Sequence, residues 1–263
     1  MSVLATGKHV VRVARDRNVM FLAASVAYYA FVSLIPLTVV LLVVGTLLGG
    51  EAFVRSLVMQ VEGALSSSGQ QVVQEALSSS RGRTGAGIAG LVTVGWSAFK
   101  LFRGLDIAFS EAYGTKRHAS LPRQLLDAVV TLLLIVAAVA AMIAVGYVLR
   151  RPEVVRSLPR PAVVWRLALV VGLVVAFLPL YYVLPPVEMS VREALPGAVF
   201  AAVGWVGLQV LFQLYLAHAG QYRAYGFLGG ILLFLTWLYF AGALLLLGAV
   251  VNSVRGGRTT IPG

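Results

Sequence analysis

The chain has 263 residues, of which 59% are apolar before its 27 glycines are counted and only 12% are charged. Soluble domains are about a quarter charged, and a soluble fold of this size keeps too much surface to hide so much apolar side chain. An ordinary cytosolic globule is therefore excluded, and so is a disordered chain, which requires low hydrophobicity. With no cysteine, disulfides and thiolate metal sites are excluded as well, and the net charge of +11 asks for an anionic neighbour.

Between charged residues run gaps of 33 (Asn18 to Gly50), 16 (Thr84 to Phe99), 22 (Ala128 to Leu149), 21 (Leu167 to Val187), 29 (Ala194 to Tyr222) and 31 residues (Ala224 to Val254). About 20 apolar helical residues cross a bilayer core. The expected fold is all-α: a polytopic membrane bundle of six transmembrane helices plus short amphipathic helices, forming one membrane domain. The spans are expected at about 20–48, 84–103, 126–149, 164–184, 193–216 and 226–251.

The basic residues Lys8, Arg12, Arg15 and Arg17 precede the first apolar run, as in a signal peptide. That run exceeds the roughly 7 to 15 residues of a signal-peptide core, so it reads as a retained span. Ser25, Tyr28, Tyr29, Ser33 and Pro36 fall within about 140° on its helical wheel. This face either packs against another helix, as small and hydroxylated residues commonly do, or faces a substrate. Pro36 frees the carbonyl of Val32 and bends the helix.

Segment 51–80 follows on the outer side, where Leu57, Val58, Val61 and Leu65, then Val72, Val73, Ala76 and Leu77, recur at helical spacing around Ser66-Ser67-Ser68-Gly69. It reads as two short amphipathic helices, either a connector shielding span ends or a lid. The second span is short, but Lys100 can snorkel to the interface. Beyond it, 100–115 reads as a cytoplasmic interfacial helix. Leu101, Phe102, Leu105, Ala108, Phe109 and Ala112 lie on one side and Lys100, Arg103, Asp106, Ser110 and Glu111 on the other. Either the charged face is simply solvated, or Lys100 and Arg103, with Lys116, Arg117 and Arg123 nearby, bind an anionic headgroup.

The fifth span opens with Ser190 and Glu193 at capping-box spacing, followed by Pro196 and Gly197. Gln209 and Gln213 then share one stripe, where amides bond to a neighbouring helix or to a polar cargo. His218 lies off that stripe and reads as interfacial. Before the sixth span, Tyr225, Gly226, Gly229 and Gly230 permit either close helix packing or an unwound helix start beside substrate.

Lysine and arginine favour the cytoplasmic side. With the N-terminus inside, the inner segments carry twelve of the 21 basic residues and the outer segments nine. Both termini are therefore expected in the cytoplasm, in the cell's inner membrane. The basic residues lie next to spans, where anionic lipids attract them, so membrane lipids are the expected partners, with envelope proteins or further copies of the chain; nucleic acid is not. The ten acids and three histidines are scattered without paired carboxylates or zinc spacing, and no phosphate-binding loop is present. No enzyme activity, metal or cofactor is expected. Only Asp106 and Asp127 approach the spans, both toward the inner ends, which gives an ion-coupled pump little support.

Several separated motifs resemble one family. Ala23-Ala24-Ser25-Val26-Ala27-Tyr28-Tyr29 with Ser33-Leu34-Ile35-Pro36, Leu195-Pro196-Gly197-Ala198, Tyr225-Gly226 to Gly230 followed by Trp237-Leu238-Tyr239, and Leu247-Gly248-Ala249 to Asn252 look like the YihY/BrkB inner-membrane proteins. Its members carry the names virulence factor BrkB and ribonuclease BN. The resemblance covers roughly residues 10 to 255 and implies six spans with cytoplasmic termini. Where that family usually has a glutamate and a Leu-Asn pair, this chain has Val250 and Phe109-Ser110. The bundle's hydroxyls, amides, glycines and arginines suit an amphiphile, so the expected function is translocation of a lipid or lipid-like envelope component. The alternative is a non-transporting envelope scaffold or regulatory membrane protein, with a ribonuclease last.

Overall fold

A computed structural model describes residues 3–34, 100–115, 121–149, 161–219 and 226–258. Among these residues lie seven helices and no strand: α1 (Val3–Asp16), α2 (Val19–Leu34), α3 (100–113), α4 (Leu121–Leu149), α5 (Pro161–Val183), α6 (Val191–Ala219) and α7 (Gly226–Arg255). The chain divides into two compact units, Met1–Tyr28 with Phe102–Gly263, and Tyr29–Leu101. Of the second unit only 29–34 and 100–101 are described. The outer amphipathic segment 51–80 and most of the second span lie outside the described residues, as do Pro36, Lys116, Arg117 and Tyr225.

Four helices are long and apolar enough to cross a membrane: Pro122–Tyr147, Val163–Val183, Val191–Leu216 and Leu228–Arg255. The pair Thr6–Asp16 and Val19–Leu34, bent by 64°, raises this to five if it counts as one span. The expected six are thus met at four positions among the described residues, and at a fifth in broken form. Composition explains the break. Lys8, Arg12, Arg15 and Asp16 make α1 expensive in hydrocarbon, whereas the described part of α2 carries no formal charge.

The break itself is built from Asn18, whose φ of 49° puts it in the left-handed region that asparagine tolerates. Its carbonyl then accepts from the N–H groups of Phe21 and Leu22, starting the next helix. Arg17 holds the corner by donating from Nη1 to the Glu111 carbonyl at 2.9 Å, at the end of α3. That end closes with Gly114 at φ 69°, the Gly114 N–H on Glu111 and the Thr115 N–H on Ser110. This is the paired-bond cap that glycine permits after a helix. The end of α7 is closed in the same way, by Gly257 at φ 65° and Arg258.

One core joins the end of α1, the start of α2, α3, the end of α5, the start of α6 and the end of α7. Its members include Val13, Val19, Ala23, Phe109, Tyr113, Tyr181, Ala198 and Val250. Small residues dominate where helices meet. At Gly242 the nearest approach is the Ala23 carbonyl of α2, 3.2 Å from where a Cβ would stand. The apolar side of α3 fills the core as its spacing predicts, while Lys100, Arg103 and Glu111 stay exposed. Ser110 departs from that expectation. It sits at the edge of the polar side yet is buried, because the buried arc of α3 also takes in Tyr113.

Away from this core, α4 presents apolar side chains all round. Leu126, Leu133, Ile143 and Tyr147 are each more than 60% exposed. Water-soluble monomers rarely expose apolar patches beyond a few hundred Å², so hydrocarbon is the solvent this helix is built for.

Candidate functional site

The start of α6 is organised by local sequence. Ser190 and Glu193 form the expected reciprocal cap: the Ser190 N–H donates to Glu193 Oε2 at 3.0 Å, and the Glu193 N–H to Ser190 Oγ at 3.4 Å. One turn later, Pro196 withholds an N–H from the helical ladder and crowds the carbonyl four residues back. The Gly197 N–H beside it donates to Asn252 Oδ1 of α7 at 2.6 Å, and Asn252 Nδ2 donates to the Ala194 carbonyl at 3.0 Å. One buried amide thus bonds two backbone groups of the neighbouring helix.

This clamp requires backbone contact. A Cβ on Gly197 would meet the Gly248 carbonyl, and a Cβ on Gly248 would stand 2.8 Å from the Gly197 carbonyl and meet the Tyr181 hydroxyl. Small residues allow such approach in membranes. Tyr181 Oη donates to the Leu245 carbonyl at 2.8 Å and its ring lies 5.7 Å from that of Phe109, which ties α5 to α7 and α3. Tyr113 Oη points toward Met189 Sδ at 3.9 Å. Burial pushes the Tyr113 phenol above its ordinary range, opposed by nearby Arg258 and Asn252. Arg258 donates to the Glu188 carbonyl at 3.1 Å and pairs with Glu193 at 3.3 Å, closing the last turn of α7 over the start of α6. The end of the bundle is therefore pinned by hydroxyls, one buried amide and one ion pair.

The other halves of α6 and α7 frame a cavity of about 500 Å³, within the size range of small-molecule and cofactor pockets. Leu208, Leu211, Phe212 and Tyr215 line it from α6, and Gly229, Leu232, Thr236 and Trp237 from α7. The Thr236 hydroxyl is spent on the Leu232 carbonyl at 2.8 Å, so the wall is almost wholly apolar. At its base Trp237 packs edge-on against Trp205 at 5.1 Å and stacks with Phe234 at 6.1 Å, while Trp205 meets Phe177 at 5.4 Å.

Of the residues singled out in the sequence, Gly229 lines this groove; Gly226 opens α7, and Gly230 has open space where a Cβ would stand. Gln209 and Gln213 are exposed on α6, about a third of a turn round the helix from the groove. Ser25 Oγ donates to the Phe21 carbonyl at 3.3 Å and Ser33 Oγ to the Tyr29 carbonyl at 2.6 Å, so both hydroxyls are bonded within their own helix. Tyr28 and Tyr29 are exposed. Gln124 Nε2 donates to Asp106 Oδ2 at 3.2 Å, which ties the start of α4 to α3 and brings the exposed Arg123 to the same end of the protein as Arg103.

Sequence reasoning noted Gly197, Gly248 and Asn252 as motif residues without seeing that they meet. An amide near the end of an apolar helix, with Pro-Gly in the preceding one, was the available signal. The apolar groove left none. Among the described residues, no three His, Asp or Glu side chains gather closely enough to hold a metal ion.

Comparison with known proteins follows the same lines. The family model of virulence factor BrkB matches residues 10–261. A UPF0761 membrane protein of Coxiella burnetii is 27% identical over 248 residues, 91% of this chain and 88% of that protein. The ribonuclease-like protein YfkH of Bacillus subtilis is 37% identical over 91 residues, 34% of this chain and 33% of its own length. A UPF0761 membrane protein of Pseudomonas aeruginosa is 38% identical over 79 residues, 30% of this chain and 19% of that protein. No solved structure matches. With the family model running through nearly all of its helices, the chain belongs to the virulence factor BrkB family and is a membrane protein.

Proposed function

We propose that this protein translocates a lipid or lipid-like envelope component across the inner membrane, passively or driven by a partner, with both termini in the cytoplasm. The observation that carries the reading is the groove between α6 and α7, whose wall, apolar but for the Tyr215 and Thr236 hydroxyls, suits an acyl chain. The pinned end of the bundle supports it: with α6 and α7 clamped at Asn252, a tail between their other halves leaves that joint in place. Arg103 and Arg123 stand exposed at the α3 end, where a phosphate headgroup would meet charge. No carboxylate is required for such movement, in keeping with the scarcity of acids in the spans.

The name of the Bacillus relative suggests a ribonuclease. Hydrolysis of RNA needs positioned general acid and base groups or clustered metal ligands, and among the described residues no three His, Asp or Glu side chains gather to hold a metal ion.

The test is reconstitution in liposomes carrying fluorescent lipids, followed by bleaching of the outer leaflet with a membrane-impermeant reductant. Translocation predicts that label initially inside becomes bleachable faster than in protein-free liposomes, and that Arg103→Glu slows the exchange. Exchange no faster than in protein-free liposomes, for every lipid class tried, leaves the scaffold reading in its place.

A further inference from the structure

The geometry points to α1 as a docking surface for anionic phospholipid headgroups, distinct from the groove and independent of whether lipid is translocated. Val13 and Ala14 bury one side of α1 in the core, with Val10 packed against it. On the opposite side Lys8, Arg12 and Arg15 fall within about 60° of one another on the helical wheel, and all three are exposed. Like charges at this spacing repel, and none of the three forms an ion pair. The stripe is cationic, and Asp16, the one acid of α1, stands one turn from Arg12 without pairing with it.

Two further features decide which anion it faces. Val11 lies beside Arg15 on the wheel and is 68% exposed, so the stripe has an apolar border that water or a nucleic-acid backbone leaves unsatisfied. A bilayer boundary satisfies both, since a valine sinks toward the acyl chains while lysine and arginine stems reach up to phosphates. The axis of α1 is also turned 64° from α2, whose described part is uncharged and reads as the start of a span. With α2 entering the membrane, α1 lies along its surface. The angle is held by Asn18 at φ 49° and by Arg17 on the Glu111 carbonyl, so the core presents the stripe in a set direction.

The chain lacks cysteine, so Val11→Cys introduces a unique thiol for an environment-sensitive fluorophore. The full-length protein is reconstituted in vesicles of phosphatidylcholine alone or mixed with phosphatidylglycerol. Docking predicts a blue-shifted emission, quenched by acyl-brominated lipid, that requires phosphatidylglycerol and fades as salt is raised. Each of Lys8→Gln, Arg12→Gln and Arg15→Gln lowers the equilibrium constant for docking about fivefold, the equivalent of about 1 kcal/mol per basic residue at an anionic leaflet. These side chains are exposed, and unchanged circular dichroism and vesicle insertion show that each variant folds. Emission indifferent to phosphatidylglycerol, or indifferent to all three substitutions, overturns the proposal. So does a response to added single-stranded RNA in place of phosphatidylglycerol, which would make the stripe a nucleic-acid surface. The signal is read whatever the lipid exchange rate, so its failure and that of the translocation reading are separate results.

Discussion

Asn252 is the side chain on which most of the packed end depends. Its oxygen takes the Gly197 N–H and its nitrogen gives to the Ala194 carbonyl, and it is almost completely buried. Removing a buried partner leaves the remaining group desolvated, at a cost of about 1–3 kcal/mol. Asn252→Ala is therefore expected to lower the thermal unfolding midpoint in detergent, and Asn252→Asp to lower it as well, because the acid keeps the acceptor but loses the donor. Arg258→Ala is expected to move the midpoint less, since the pair with Glu193 is partly exposed and such ion pairs contribute little. If the order of these shifts is reversed, the clamp is not what holds α6 to α7.

At the scale of helices, the glycines separate into two kinds that composition cannot tell apart. Gly248 faces the Gly197 carbonyl and the Tyr181 hydroxyl, while Gly230 has nothing within 4 Å of a built Cβ. Gly248→Ala is expected to destabilise by about 1–3 kcal/mol through overpacking. Gly230→Ala is expected to be neutral or to stabilise by up to roughly 1 kcal/mol, because alanine loses less backbone freedom in a helix. Chemical denaturation of the two variants side by side checks the contrast. The same distinction explains what could be read from the sequence. The Ser190–Glu193 cap was legible because it is made within four residues, and the long apolar helices because charge spacing reports them directly. The meeting of Gly197 with Gly248 and Asn252 joins residues about fifty apart, and nothing local marks it. The corner at Asn18 was hidden by the basic residues around it, although Val10, Val13 and Ala14 opposite Lys8, Arg12 and Arg15 carried the amphipathic signal of α1. The groove was illegible for a physical reason: α6 and α7 show almost no amphipathic periodicity, so periodicity cannot separate a wall from a lipid-facing surface.

At the largest scale, the described part of the unit formed by Met1–Tyr28 and Phe102–Gly263 combines a tightly joined end and a looser one. At the joined end α3, α6 and α7 meet through buried small residues and the Asn252 amide, whereas α4 and the far halves of α5, α6 and α7 carry exposed leucine, valine and aromatic side chains. The proposed orientation puts the joined end in the cytoplasm. Arg255→Cys, at an exposed position, is then expected to react with a membrane-impermeant maleimide in inside-out vesicles and not in right-side-out ones; the opposite pattern inverts the topology. The account rests above all on a lipid tail occupying the space between α6 and α7. Its most direct test is photolabelling of the reconstituted protein with a phospholipid bearing a diazirine at the end of its acyl chain, followed by peptide mapping. The account predicts labelling concentrated on Leu211, Phe212, Leu232 and Trp237, and lost in Gly229→Phe, which fills the groove. Labelling spread evenly over all exposed apolar positions, α4 included, and unchanged in that variant, would contradict it.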